Sequence, residues 1–342
     1  MATHLTGLMP ILATPFDESG GLDRAGLCRL VEFELAADVD GVAVFGMASE
    51  GFALTATERR TVLGDVVELV AGRVPVVAGV NGTSTVNAVE QAREAEAGGA
   101  DALMVLPPFM VRPPAASLVD FYGTVAASTG LPVMVQDAPG VTGVAMSPAL
   151  IAELSRLDGV RAVKIESPPT TAKVGHVVDA VANPGFAVLG GQNAQFCLEE
   201  HAAGAVGTMP ACEFPDLLGP ALRRYGAGEV DRARADFRRI LPLVLLGLQP
   251  GIAWAVHKEV LVARGIIEQA TVRYPASPLD TTSRAALRVV LDELRLTGQR
   301  TPMEVADDET AGTVGAVGAV GAVGAVEAVA AAEAVATAEA SA

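Results

Sequence analysis

Neither a Cys-x-x-Cys nor a His-x-x-x-His occurs in the chain. The three cysteines, Cys28, Cys197 and Cys212, are widely spaced and odd in number, so they imply no disulfide framework. Each reads as a small buried residue rather than a nucleophile. The four histidines, His4, His176, His201 and His257, have no ligand spacing, and nothing calls for a metal or another cofactor. Positive charge is scarce: 24 Lys and Arg against 40 Asp and Glu give a formal net charge of −16. That argues against nucleic acid or an anionic membrane as a partner, because both need clustered cations. The first twenty residues, MATHLTGLMPILATPFDESG, lack the basic leader and long apolar core of a signal peptide. The expected location is the cytoplasm.

What is present is apolar and aliphatic. Of 342 residues, 51% are hydrophobic and only 4% aromatic, a composition suited to helices packed over a Val-rich parallel sheet. Short apolar runs alternate with amphipathic stretches. LMPILATPF (8–16), GVAVFG (41–46), PVVAGV (75–80), DALMVLPP (101–108), LPVMVQ (131–136), VRAVKIES (160–167), FAVLGG (186–191) and GAVGTMP (204–210) read as strands. Between them lie helical patterns: Asp23–Ala37, a helix capped by Thr57 and running to Val70, Thr85–Ala97, Ser117–Ser128, Ser147–Leu157, Thr170–Val181 and Ala194–Ala203. A further helix starts at Pro215. Eight strand–helix units predict a closed (β/α)8 TIM barrel over residues 1–228. The runner-up, an open doubly wound sheet, usually carries a G-x-G-x-x-G turn after its first strand, and none is present.

Residues 229–300 carry three more helical patterns, Glu229–Leu246, Gly251–Arg264 and Thr282–Leu296, and are predicted to be a helical extension packed on the barrel. Residues 301–342 contain GAVGAVGAVGAVGAV and an Ala/Glu-rich end. They offer no large side chains for a core and are predicted to be a disordered tail. A membrane span is the sharper alternative, disfavoured by the repeated glycines and by Glu327, Glu333 and Glu339.

In such a barrel the chemistry sits at the C-terminal ends of the strands. The polar groups there are the turn GMASEG (46–51), Gln136 and Asp137, Lys164 and Glu166, and GGQN (190–193). Lys164 stands out because it lies between apolar neighbours on a buried strand. Burial disfavours the charged ammonium and makes the neutral amine accessible. That is what a lysine attacking a carbonyl requires. A structural ion pair with Glu166 is an equally good reading of strand position alone. The turn holding Met47, Ala48 and Ser49 offers backbone donors for a carboxylate, although as a bare pattern it is an ordinary loop. Gly190, where the seventh strand ends, and Val206, in the eighth, are the other candidate substrate-binding positions.

With these residues in place the chain resembles the dihydrodipicolinate synthase / N-acetylneuraminate lyase family of class I aldolases, from about Gly7 to Leu296. The resemblance rests on Gly7-Leu8-Met9-Pro10 through Thr14-Pro15-Phe16, on GMASEGFALT with Gly46 and Glu50, and on GRVPVVAGV (72–80). AGGADALMVLPPF (97–109), PGVTG (139–143), the Lys164 strand and KEVLVARGII (258–267) follow in order. It implies that Lys164 condenses with pyruvate or a longer 2-oxo acid, and that the resulting iminium lets a neighbouring C–C or C–O bond break or form. It also implies that the 46–51 turn holds the carboxylate. The family's tyrosine proton shuttle is replaced here by Gln136, its two turn threonines by Met47 and Ala48, and its Tyr-Tyr by Phe109 and Met110. The arginine of some synthases is replaced by Val141.

The expected function is therefore a Schiff-base-forming lyase, an aldolase or dehydratase, acting on a small-molecule 2-oxo acid and not a true dihydrodipicolinate synthase. Gln136 cannot act as an acid or base and can only orient a water or donate a hydrogen bond. The candidates for the proton work are the substrate's own carboxylate, an ordered water held by Gln136, and Asp137 or Glu166, whichever points inward. The alternatives are a non-catalytic homologue that binds a 2-oxo acid or serves as an oligomer partner, and an enzyme using Lys164 as an electrostatic anchor. The resemblance also implies a homodimer or homotetramer, with the apolar VLPPFMV (105–111) as the contact.

Overall fold

Near-continuous Val- and Ala-rich runs form strands buried on both faces. In the computed structural model, which describes residues 4–303, they are β1 (Gly7–Leu8), β2 (Val42–Val44), β3 (Val76–Val80), β4 (Ala102–Val105), β5 (Val133–Asp137), β6 (Val160–Ile165), β7 (Ala187–Gly190) and β8 (Gly207–Thr208). All pair in parallel, in the order β1-β8-β7-β6-β5-β4-β3-β2. The seam between β1 and β2 is closed by Ile11, which bridges both Ala43 and Ala211. Hydrogen bonds from Leu12 N–H to Ala43 O (2.8 Å) and from Ala43 N–H to Pro10 O (2.9 Å) complete it. The sheet is thus a (β/α)8 TIM barrel. Most residues of the expected tail, from residue 304 on, lie outside the described residues.

The helices between and after the strands are α1 (Arg24–Ala36), α2 (Ala56–Val70), α3 (Thr85–Ala97), α4 (Ala115–Ala127), the single turn α5 (Pro139–Thr142), α6 (Pro148–Leu154), α7 (Thr170–Ala180), α8 (Cys197–Ala202) and α9 (Pro215–Gly226). They are followed by α10 (Val230–Leu246), α11 (Ala253–Arg264) and α12 (Thr281–Leu294). Leu243 and Val244 of α10 and Val256 and Leu261 of α11 share one apolar core with the outward faces of the strands. No helix among the described residues is long and apolar enough to cross a membrane.

Several element ends differ from the sequence-based expectation. The first strand is a two-residue ladder rather than 8–16, because Pro10 and Pro15 have no N–H to give to a neighbour. The eighth is likewise cut short before Pro210. Thr55, not Thr57, caps α2: its hydroxyl accepts from Glu58 N–H while the Glu58 carboxylate accepts from Thr55 N–H. The helix expected to begin at Ala194 starts at Cys197, because Gln192, Asn193 and Ala194 all hold left-handed backbone (φ 49°, 52° and 60°).

Side-chain alternation along the strands sets what faces inward. Met9, Ile11, Ala43, Val77, Met104, Met134, Ala162, Leu189 and Met209 fill the barrel interior, so it is a packed core and not a pore. Val163 and Ile165 belong to the outer core against the helices. Lys164, between them, therefore points inward.

One buried carboxylate lies outside this frame. Glu200 of α8 is 1% exposed, and burial pushes its pKa from 4.5 up to about 7, the Thr170 hydroxyl working against the rise. An acid with a raised folded-state pKa favours the fold while protonated, and that stability is lost as pH climbs from the unfolded value through the folded one. The Glu200→Gln variant, which mimics the protonated acid, should match the wild type near pH 4.5. Above pH 7 it should be more stable by up to about 3 kcal/mol. Thermal melts at the two pH values check this, and a difference that does not grow with pH would reject it.

Candidate active site

The C-terminal ends of the strands open into a cleft of about 430 Å³. Ile11, Met209 and Lys164 form part of its floor. Met47 and Ala48 line it from the turn after β2, Ala138, Gly140 and Val141 from the turn after β5, and Gln249, Trp254 and His257 from the helical extension. A larger concavity of about 1130 Å³ sits at the opposite end of the barrel, around Leu131, Pro132, Gly159 and Ala187. It is lined by no lysine, cysteine or serine, and in barrels of this kind that end serves stability. The chemistry lies in the smaller cleft.

β5 and β6 put Gln136 and Lys164 opposite one another in register. The Lys164 Nζ lies 3.3 Å from Glu166 Oε1, and Gln136 Nε2 donates to Glu166 Oε2 at 2.6 Å. Lys164 and Gln136 are 4% and 1% exposed. The Glu166 carboxylate is further placed by Gln192, whose backbone N–H lies 3.4 Å from Oε1 and whose side-chain amide donates to the Glu166 carbonyl at 2.7 Å. The site therefore couples an amine to a carboxylate that is held on its other oxygen by an amide.

The chain has three lysines, and only Lys164 lines the cleft. Lys173 is bound to Asp137 Oδ2 (2.8 Å) and to the Met146 carbonyl (2.5 Å). Lys258 is bound to Glu50 Oε1 (2.5 Å) and the Thr271 carbonyl (2.7 Å). Burial lowers the Lys258 pKa to about 8, with Glu50 opposing the shift. Asp137 points outward to Lys173, and burial raises its pKa against the pull of that lysine. Of the two acids considered from sequence, Glu166 is the one in the cleft.

The other sequence candidates divide. Met47 and Ala48 line the cleft, and their amide N–H groups have no acceptor among the described residues. Ser49 does not reach it: the residue is 1% exposed, and its N–H returns to the Gly46 carbonyl at 3.2 Å. Its carbonyl accepts from the Thr14 hydroxyl at 2.7 Å. Gly190 faces the helices, because a Cβ there would meet Glu200 Oε2 at 1.9 Å; the inward glycine of that strand end is Gly191, whose Cβ would meet Glu166. Val206 precedes β8 and lines a separate pocket with Asp38, His201 and Arg223, at the N-terminal end of the strands. Side-chain alternation displaces Gly190 from the cleft, and position at the wrong end of the strand displaces Val206. Met110, which stands in place of a family tyrosine, is 76% exposed and outside the cleft.

Sequence reading missed the extension's share of the site. Trp254 Nε1 donates to the Met47 carbonyl at 2.6 Å, tying α11 to the turn after β2. His257, one turn on, donates or accepts through Nδ1 with Glu213 Oε1 at 2.7 Å. The i, i+3 spacing of Trp254 and His257 marks one helix face, but only the packing shows that this face meets the cleft. Left-handed backbone at Phe45 (φ 62°) and at Gln192–Ala194 flanks the same opening. Such strain, about 1–3 kcal/mol per residue, concentrates at functional sites. Gly79 permits the first of these, since a Cβ there would lie 2.4 Å from the Phe45 carbonyl. No group of three or more His, Cys, Asp or Glu among the described residues could hold a metal ion.

Comparison with known proteins agrees with this architecture. The model of the dihydrodipicolinate synthetase family matches residues 4–294. An L-2-keto-3-deoxyarabonate dehydratase from Azospirillum brasilense is 33% identical over 297 residues, 84% of this chain and 94% of that protein. A 4-hydroxy-tetrahydrodipicolinate synthase from Saccharophagus degradans is 33% identical over 282 residues, 81% of this chain and 94% of that one. Among solved structures, YagE, a prophage protein of E. coli K12 crystallised with pyruvate, superposes with a TM-score of 0.79 at 29% identity, covering 85% of this chain and 99% of its own.

Proposed function

The chain belongs to the dihydrodipicolinate synthetase family, and from that premise we propose that it is a Schiff-base lyase acting on a 2-oxo acid through Lys164. The observation that carries the reading is that Lys164 alone of the three lysines opens into the cleft, with a carboxylate 3.3 Å from its amine. The amine attacks the 2-oxo carbonyl and water leaves as the iminium forms. The Met47 and Ala48 amides receive the substrate carboxylate through backbone donors, which do not depend on the side chains present. The iminium draws electrons from the adjacent carbon, and Glu166 takes the proton that this carbon releases. Gln136 holds Glu166 in place and does not itself exchange a proton. The pyruvate-bound relative supports the 2-oxo acid, and the dehydratase relative supports loss of water as the outcome.

The same reading separates the chain from the condensing synthases, because an amide stands at Gln136 and an apolar residue at Val141. A screen of 2-oxo acids with borohydride and intact-mass readout tests it: at least one acid should leave a reduced adduct. No adduct with any acid would favour the non-catalytic alternative. A homo-oligomer belongs to this proposal as well. Met110 and Val111 stand 76% and 77% exposed beside β4, an apolar pair that a second copy would cover. Light scattering at micromolar concentration should return a dimer or tetramer mass, and a monomer mass would reject it.

A further inference from the structure

Three ionisable side chains line the cleft: Lys164, Glu166 and His257. Lys164 lies on β6 and Glu166 directly follows that strand. The third arrives from α11, outside the barrel, and the Schiff-base chemistry above gives it no task.

His257 is held as a working imidazole would be. It is 4% exposed. Its Nδ1 is fixed by Glu213 Oε1 at 2.7 Å, and Glu213 is fully buried. Glu213 is itself anchored, since its carbonyl accepts from Arg264 Nη1 at 2.9 Å, and the same guanidinium is bidentate to Asp216 at 3.0 and 2.6 Å. Nothing else donates to the Glu213 side chain among the described residues, and its Oε2 has no partner. Burying a carboxylate is costly unless it is paired, so this one depends on the imidazole. The pairing commits Nδ1 and leaves Nε2 as the ring nitrogen free for a ligand of the cleft that His257 lines. A carboxylate behind an imidazole fixes its tautomer and ring orientation.

Position says which part of the substrate it meets. A 2-oxo acid held by its carboxylate at Met47–Ala48 and by its carbonyl carbon at Lys164 must direct its remaining carbons toward the open side of the cleft. The cleft is lined by the apolar Ala138 and Val141 and by His257. We propose that His257, oriented by Glu213, binds the hydroxyl on the carbon two removed from the 2-oxo group and supplies the proton with which it leaves. The substrate class is then a 4-hydroxy-2-oxo acid. Once the iminium has formed, Glu166 takes a proton from C3 and the electron pair moves into a C3–C4 double bond. The C4–O bond breaks, the Nε2 proton passes to that oxygen, and water departs. The net change is loss of one water with no oxidation or reduction. Glu213 is a positioning residue in this scheme and His257 a catalytic one.

The inference rests on the Schiff-base reading, and the test keeps the two apart. Pyruvate has no C4, so borohydride trapping with it reports the amine alone. Four-hydroxy-2-oxo acids of five and six carbons, followed by consumption, report the proton donor. His257→Asn should trap pyruvate within about twofold of wild type while kcat for the hydroxy acids falls about 10²–10³-fold. Glu213→Gln, which leaves the imidazole but weakens its orientation, should lose at least about tenfold in kcat with pyruvate trapping intact. If His257→Asn turns over the hydroxy acids within about threefold of wild type, the proposal is wrong. It is equally wrong if pyruvate trapping falls in step with turnover, which would make His257 a structural residue. It also fails if the wild type traps pyruvate but consumes none of the hydroxy acids. Failure of the wild type to trap pyruvate or any other 2-oxo acid would remove the Schiff-base reading itself and this inference with it.

Discussion

Lys164→Ala should form no borohydride-reducible adduct with any 2-oxo acid, and its turnover should fall by about 10⁵-fold or more, the scale set by losing a covalently held, oriented reactant. The expectation is sharp because the chain supplies few competing amines. Of its three lysines, Lys173 is tied to Asp137 and Lys258 to Glu50, and neither lines the cleft. A mass increment on the wild type that disappears in Lys164→Ala therefore assigns the imine to one atom. Lys164→Arg separates nucleophile from electrostatic anchor, because guanidinium keeps the charge beside Glu166 but is not a Schiff-base former. Turnover by Lys164→Arg within about tenfold of wild type would mean that charge, and not covalency, is what the position supplies. An adduct that persists in Lys164→Ala would move the nucleophile elsewhere.

Glu166→Gln should keep the adduct and lose the reaction. Its carboxylate is the acceptor nearest the Lys164 amine, and general acid–base help is worth about 10²–10⁴-fold. A fall of that size in kcat, with reduced adduct still formed at the wild-type mass, is the expected pattern. Glutamine preserves volume and an acceptor oxygen for the side-chain amide of Gln136 or the backbone N–H of Gln192, so the comparison isolates proton transfer from packing. Gln136→Ala is the companion. It removes the 2.6 Å hydrogen bond to Glu166 but no proton carrier, so it should trap normally and lose only about tenfold in turnover, the scale of a misplaced but present base. Turnover by Glu166→Gln within about threefold of wild type would shift the proton work to a water or to the substrate's own carboxylate.

The family likeness and these energetic expectations rest on different kinds of information. The order of strand and helix signals is local. Runs such as VRAVKIES and PVVAGV are apolar on both faces, and only a parallel sheet covered by helices buries both. The eight-unit barrel, and Lys164 as a cation between apolar neighbours on a buried strand, were therefore legible from the chain. So were Gln136, its register partner on β5, and Met47 and Ala48 in the turn after β2, because strand ends and the turns after them are marked by where the apolar run stops.

What the chain alone could not decide was everything set by facing and by distance between remote segments. Alternation by one residue sends Asp137 out to Lys173 and turns Gly190 toward Glu200, while Glu166 and Gly191 face in; a strand buried on both faces gives no polarity pattern from which to read that choice. Val206 was misplaced because the eighth strand is cut down to Gly207–Thr208, which leaves Val206 ahead of it, at the N-terminal end. Glu50, named from sequence only as a retained motif position, is a buried partner of Lys258 more than two hundred residues away. Trp254 and His257 reach the cleft only because the helical extension folds back over the barrel and Arg264 pins it to Asp216. The sequence determined the barrel and the amine within it, through periodicity that acts over a few residues. The tertiary structure decided which way each acid faces and which histidine lines the same cleft, because a strand buried on both faces carries no polarity pattern and the spacing of remote segments along the chain carries no trace of their distance in space.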